Sequence, residues 1–300
     1  MLGYYSMAIK FLTPELIEKH QPQEKGLRVE DIVRNTLNAP VIKRGYKKAH
    51  SSDLTKATYC PRMVALWREA GCPEEHEKVN ATLAMTFRMG NLTAQLFCED
   101  LGGESVWGNW VCRHCDDQHD QCYKPKPCSC HPDATWKYEE IVFVHEESSA
   151  SGSIDCFMDL RTGKLTLIEL KIIGPEDFQK LLMPMWEHRI RTQMYLEIIA
   201  NSNHPAKDLI HLDTAKVFYM CRTHGKKVAT RKLARVTPFK EYDVKPDPAA
   251  VQKYLDKARQ LKIWEDTGEY PEPLCSSADC DQAKECPYLE KCIELGGFPL

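Results

Sequence analysis

Two runs of strand-forming residues, Ser153 to Leu160 and Leu165 to Ile173, are separated only by Arg161-Thr162-Gly163-Lys164. A gap that short, filled with turn formers, leaves the runs one simple arrangement, an antiparallel β-hairpin. The hairpin decides which side chains can meet. Alternate residues of a strand share a face, so Glu169 and Lys171 point one way while Ile168 and Leu170 point the other. Pairing across the turn brings Asp155, in Gly152-Ser153-Ile154-Asp155, beside Glu169.

Two converging carboxylates suit a hard divalent ion such as Mg2+ or Mn2+, which prefers oxygen ligands and retains waters for chemistry. Such an ion acidifies a bound water and neutralises a phosphodiester. Glu-x-Lys alone is a common solvated strand face.

Elsewhere the patterning alternates between helix and strand. Ser51-Ser52-Asp53 offers N-cap residues before a helical pattern reaching Gly71, interrupted at Pro61. A second helix is expected from about Val79 to Leu101, ending at Gly102-Gly103. Strands are expected at Tyr138 to His145 and Ala215 to Cys221, and helices at about Pro175 to Asn201 and Pro248 to Trp264. A basic hairpin or strand is expected from Lys226 to Val236. With 43% hydrophobic residues in 300, a sizeable core is available. There is no signal-like start and no apolar run long enough to span a bilayer, so a cytoplasmic protein without membrane contact is expected. The net charge of -3 means that any DNA-binding surface has to be local.

Fourteen cysteines without an export signal argue for thiols that bind metals rather than a disulfide framework. Cys112-x2-Cys115 and Cys128-x-Cys130 flank a twelve-residue loop, a pattern that suits tetrahedral zinc, with Cys122, His114, His119 and His131 as alternative ligands. The surrounding segment, Val111 to Asp133, is too poor in apolar residues for a core of its own, and a bound ion would order it. In the tail, Cys275, Cys280, Cys286 and Cys292 are separated by four, five and five residues. These gaps are wide for zinc knuckles but tolerated by iron-sulfur clusters. The scattered Cys72, Cys98, Cys156 and Cys221 are expected as small core residues.

The ordered set Gly152-Ser153-Ile154-Asp155, Ile168-Glu169-Leu170-Lys171 and a helix with Gln193 and Tyr195 resembles the motifs of RecB-type PD-(D/E)XK nucleases. Thirteen residues separate the aspartate from the glutamate. Cys60 in Thr58-Tyr59-Cys60-Pro61-Arg62, together with the tail cysteines, resembles the iron-sulfur staple of AddB-type and CRISPR-associated RecB-like nucleases. The likeness spans roughly Ser52 to Cys292. It implies an α/β fold with a restriction-endonuclease-like core, a mixed central sheet flanked by helices, a zinc-binding insertion and iron-sulfur-stapled termini. Asp155 and Glu169 would hold Mg2+ or Mn2+, with the backbone carbonyl of Leu170 as a further ligand. Lys171 would orient or help deprotonate the attacking water, and Gln193 would steady the lysine and contact DNA. A 4Fe-4S cluster would be held by Cys60, Cys280, Cys286 and Cys292, with Cys275 as the alternative to Cys280.

The chain departs from the family in two places. Four residues after Gln193 stands Glu197 where a tyrosine is customary, and Tyr195 comes only two residues on. The family's Gly-x-x-x-His reads Gly90-Asn91-Leu92-Thr93-Ala94 here, which leaves Gln95 or Glu99 as candidates to replace the histidine, or a site with one ligand fewer.

The organisation expected is a helical and loop extension at 1–50, a helical part contributing Cys60 at 51–110, the zinc insertion at 111–133, a nuclease core at 134–245 and a C-terminal helix with the cysteine tail at 246–300. Lys226, Lys227, Arg231, Lys232 and Arg235, and the earlier Lys43, Arg44, Lys47 and Lys48, are candidates for neutralising phosphates, as are Arg62 and Arg88. The resemblance implies a DNA exonuclease of recombination, repair or phage replication, partnered by DNA and by a helicase, single-strand-binding or recombination protein. The rival expectations are a nuclease-like DNA-binding subunit that has lost catalysis and a CRISPR-adaptation nuclease.

Overall fold

The computed structural model describes residues 41–42, 47–73, 76–77, 80–222 and 237–296. Twelve strands are defined among these residues: β1 Val41–Ile42, β2 Ala49–His50, β3 His76–Glu77, β4 Val106–Cys112, β5 Gln118–Tyr123, β6 Trp136–Glu139, β7 Ile141–Val144, β8 Ala150–Ile154, β9 Cys156–Asp159, β10 Leu165–Ile173, β11 Ala215–Cys221 and β12 Phe239–Val244. The α-helices are α1 Ser51–Leu54, α2 Pro61–Glu69, α3 Ala81–Leu96, α4 Pro175–Lys180, α5 Trp186–Ala200, α6 Pro248–Thr267, α7 Asp281–Lys284 and α8 Leu289–Glu294.

The larger sheet runs β12-β11-β10-β9-β4-β5, with β6 also paired to β4. It is mixed: β10 is parallel to β11 and antiparallel to β9. The chain between β10 and β11 carries α4 and α5, the crossover that a parallel pair requires. A smaller sheet, β2-β8-β7, stacks its apolar side chains with α1, α2, α5 and α6 in one cluster that includes Ile154, Met194, Ile198, Val64, Val251 and Leu255. Burying each such aliphatic side chain contributes about 1.5–3 kcal/mol. A second cluster under β4, β9 and β10 holds Trp110, Ile168 and Leu170, and a third around Val217 and Tyr219 takes in Phe178 of α4. Among the described residues no helix is long and apolar enough to cross a membrane.

The hairpin of β9 and β10 forms in the expected register, with Ile168 opposite Cys156 and Leu165 opposite Asp159. Two expected strands are each broken. The Ser153–Leu160 run divides at Asp155 into β8 and β9, which belong to different sheets, and the Tyr138–His145 run divides at Glu140 into β6 and β7 in the same way. Alternation alone cannot reveal such a transfer, because the pattern continues on both sides of the kink. The long helix expected from Pro175 to Asn201 is two helices, the break falling where Pro184 removes an amide donor. The helix expected to reach Leu101 ends its α-form at Leu96 and finishes in a π-turn, Phe97–Leu101, before Gly102. Asn80 caps its start by accepting from Leu83 N–H at 2.9 Å.

Gly152 marks where β8 meets α5. A Cβ there would stand 2.7 Å from Cδ1 of the Tyr195 ring, closer than real contacts allow, and Tyr195 is itself buried. Gly152→Ala is expected to destabilise the fold by about 1–3 kcal/mol. A chemical-denaturation midpoint equal to wild type would show that the tyrosine can step aside.

Candidate active site and metal centres

Asp155 occupies the bend between β8 and β9, where the chain passes from the smaller sheet to the larger. Its Oδ2 accepts from Leu170 N–H at 2.9 Å and lies 3.4 Å from Lys171 Nζ. Lys171 Nζ donates to Leu170 O at 2.8 Å and sits 2.6 Å from Glu169 Oε1. Three positions read from the hairpin, together with the carbonyl of Leu170, thus converge on one point. Glu169 is 1% exposed, and its Oε2 is buried without a hydrogen-bond partner. Burial, then the charge of Asp155, pushes the Glu169 carboxyl up to about 7. Burial works against the Lys171 ammonium, but Glu169 and Asp155 outweigh it and raise its pKa.

A cleft of about 620 Å3 opens onto this group and is lined by Asp155, Leu170 and Lys171 on the sheet and by Gln95 of α3. His188 and Arg191 complete its wall from α5. Neither was singled out by its sequence setting, although their i, i+3 spacing puts them on one helix face. Arg191 Nη1 lies 3.7 Å from Glu169 Oε1. His188 Nδ1 is 2.9 Å from the Tyr219 hydroxyl, and burial, with Lys171 and Arg191 adding to it, drives the imidazole pKa down to about 3.

Gln193 does not reach the lysine. Two residues beyond Arg191 on a helix is a rotation of about 200°, so it faces away from the cleft. It is buried instead, and its Nε2 donates to Lys245 O at 3.1 Å. Tyr195 is a packing residue over Gly152. Of the two candidates to replace the missing histidine, Gln95 lines the cleft but Glu99 does not. The Glu99 carboxylate accepts from Gln95 Nε2 at 2.9 Å, from Tyr138 N–H at 3.0 Å and from Arg113 Nη2 at 2.9 and 3.0 Å. Its lone pairs are therefore committed to tying the cysteine-rich insertion to α3.

In that insertion Cys112, Cys115, Cys128 and Cys130 bring four sulfurs within 4.8 Å of one another, a group that could hold a metal ion. Cys112 Sγ is 3.6 Å from Cys130 Sγ, and Cys115 Sγ is 3.7 Å from Cys128 Sγ. The His114 N–H points at Cys112 Sγ and draws that thiol down to about 7. Cys122, His114, His119 and His131 stand outside the group: Cys122 Sγ contacts His119 O, the His119 ring pairs with Asp117, and the His114 and His131 rings stack at 4.5 Å.

Cys60, Cys275, Cys286 and Cys292 line a second cavity of about 490 Å3 where α2 meets the tail. Cys280, favoured over Cys275 in the sequence, is not among the lining residues; it sits beside Cys275, whose thiol is pushed up to about 12 by burial and by this neighbour. Arg62 is buried here rather than offered to DNA, and it donates to Pro271 O at 2.5 Å and to Cys292 Sγ at 3.9 Å. Cys98 and Cys156 are buried as expected, whereas Cys72 and Cys221 are only partly so. Lys43, Arg44, Lys226, Lys227, Arg231, Lys232 and Arg235 lie outside the described residues, and Lys47, Lys48 and Arg88 are exposed.

No family model and no curated protein matches the chain. Among solved structures, one titled "Crystal structure of SSO0001" is similar with a TM-score of 0.34 and 12% identity, over 84% of this chain and 88% of that one.

Proposed function

We propose that this chain is a divalent-metal-dependent deoxyribonuclease with a PD-(D/E)XK core, acting as an exonuclease. The observation that carries the reading is the convergence of Asp155, Lys171 and Leu170 on the wall of one cleft, with the buried Glu169 carboxylate against Lys171 behind them. The donor set fits a hard divalent ion: it is all oxygen, and it includes a buried carboxylate oxygen with no hydrogen-bond partner. When bound there, Mg2+ or Mn2+ supplies an acidified water and charge neutralisation at the phosphate. Asp155 and Glu169 would hold the ion, and Lys171, kept as an ammonium by both carboxylates, would orient the water and offset the negative charge that develops at the phosphate.

The four sulfurs of the insertion support zinc. Zn–S bonds of about 2.3 Å put tetrahedral sulfurs about 3.8 Å apart, close to the spacings of 3.6 and 3.7 Å found here. The second cavity supports a larger group. Four cysteine thiols line it together, and its volume of about 490 Å3 far exceeds a single ion. A 4Fe-4S cluster held by Cys60, Cys275, Cys286 and Cys292 fits that spread, with Cys280 as the spare thiol.

Anaerobically purified protein is expected to shorten single- or double-stranded DNA labelled at one end, with Mg2+ or Mn2+ and not without. The end from which label is lost gives the polarity, and internal cuts in circular DNA would replace the exonuclease with an endonuclease. Absence of cleavage by folded protein on every substrate would leave a DNA-binding subunit.

The pH dependence of ion binding offers a separate check. A proton on Glu169 competes with the cation, and its pKa is raised to about 7. Mg2+ affinity is therefore expected to strengthen as pH rises toward about 7 and to level off above it. Calorimetry showing a plateau already at pH 5.5 would mean that Glu169 is an ordinary, ionised carboxylate.

A further inference from the structure

We propose that His188 and Arg191 together grip the phosphodiester to be cut, Arg191 by its charge and His188 as a neutral N–H donor. The inference rests on the nuclease reading and adds a substrate-holding role for two residues outside the aspartate, glutamate and lysine set.

Both side chains stand one helical turn apart on α5 and face the cleft that holds Asp155, Leu170 and Lys171. Arg191 has the wrong environment for a purely structural arginine. Its Nε is buried without a hydrogen-bond partner, and its ion-pair contact is Nη1 at 3.7 Å from Glu169 Oε1, longer than a hydrogen bond. A guanidinium offers five donors in a planar fork that matches two phosphate oxygens, so most of this fork's capacity is left for a ligand in the cleft. Glu169 already has Lys171 Nζ at 2.6 Å. Arg191 is thus the second cation on that carboxylate and the freer to turn toward an anion.

The hydrogen bonds around His188 suit a tautomer with the proton on Nε2. Met185 N–H donates to the Tyr219 oxygen at 3.0 Å, and His188 Nδ1 lies 2.9 Å from the same oxygen. With its oxygen accepting from Met185, the tyrosine has Nδ1 within reach as an acceptor, and the proposed clamp uses the tautomer in which Tyr219 O–H donates to it. That places the imidazole hydrogen on Nε2. Tyr219 is fully buried and stacks edge-on against Tyr242, so this partner is held in place. The Nε2–H is then a donor of fixed direction and no charge. It can hold a phosphate oxygen without competing for the metal ligands, as a carboxylate-paired imidazolium would.

The test compares wild type with Arg191→Gln, Arg191→Lys, His188→Gln and Tyr219→Phe. Single-turnover cleavage of an end-labelled strand is measured with Mg2+, and affinity for the same strand is measured across a salt series with Ca2+ replacing Mg2+. Arg191→Gln is expected to lower the cleavage rate about a hundredfold and to reduce the slope of log affinity against log salt by about 1, because one phosphate contact is lost. Arg191→Lys keeps the charge and should keep the slope while losing about tenfold in rate. His188→Gln, which retains an N–H donor, should lose less than tenfold, and Tyr219→Phe should lose rate with no change in slope. A destabilised fold would cut the active fraction but would not move the slope, and the charge-retaining lysine variant guards against that outcome. If wild type cleaves while Arg191→Gln keeps its salt slope and stays within twofold in rate, the clamp is wrong and the nuclease stands. A wild type that neither binds nor cleaves DNA overturns both.

Discussion

Lys171→Ala is expected to lower metal-dependent cleavage by about 10²–10³-fold, the range typical of losing a preorganised group that stabilises charge developing in the transition state. Lys171 Nζ contacts both carboxylates and the Leu170 carbonyl, so the variant also leaves two acids facing each other with only Arg191, 3.7 Å from Glu169, to offset them. Glu169→Gln separates the two effects. It should remove cleavage as well, because a neutral amide is a poor ligand for a hard ion, yet it relieves the cost of a buried carboxylate. The sign follows from the raised pKa. The folded protein holds the Glu169 proton more tightly than the unfolded chain, so the carboxyl disfavours folding above about 7, and the penalty fades as pH falls toward the ordinary value of 4.5. Glu169→Gln should therefore melt higher than wild type at pH 8, with the difference closing at low pH. An active Lys171→Ala, or a Glu169→Gln less stable than wild type at pH 8, would show that this pair is structural.

The second large effect is expected at the cysteine insertion. Cys112→Ser should abolish binding of one equivalent of zinc, read by elemental analysis, and lower the cleavage rate about tenfold or more. The loss of activity has a path. Arg113 lies inside the Cys112-x2-Cys115 knuckle and reaches Glu99, which in turn orients Gln95 in the cleft. Arg113→Ala should keep its zinc and lose less activity than Cys112→Ser. Full zinc content in Cys112→Ser would remove that cysteine from the ligand set. Full activity in a zinc-free protein would show that the insertion has no bearing on the cleft.

Much of this arrangement can be read in the residues, because strand alternation and turn chemistry are local. Glu169 and Lys171 had to share a face, and a four-residue turn had to set Asp155 near them. The cysteine group of the insertion was legible for the same reason, since all four thiols lie within nineteen residues. What could not be read was tertiary. The transfer of the chain between sheets at Asp155 depends on how two layers stack. The choice between Cys275 and Cys280 depends on where the tail lies against α2, which spacing does not encode. His188 and Arg191 were missed because a histidine and an arginine three apart look like any solvated helix face until the helix is docked. Gln193 was misplaced because a family motif carries a residue's identity without its rotation about the helix axis.

The bend at Asp155 makes the site a seam. One carboxylate belongs to the joint between two sheets and the other to the middle of a strand in the larger one, so the distance between them measures how the two layers are set against each other. The smaller layer packs on α2 and α6, and α2 begins just after Cys60 in the tail-facing cavity. A loosened tail could thus be felt some distance away as a shear across the seam. The segment around Cys60 and the cysteine tail, far apart along the sequence, would act as the brace that keeps two oxygens in register.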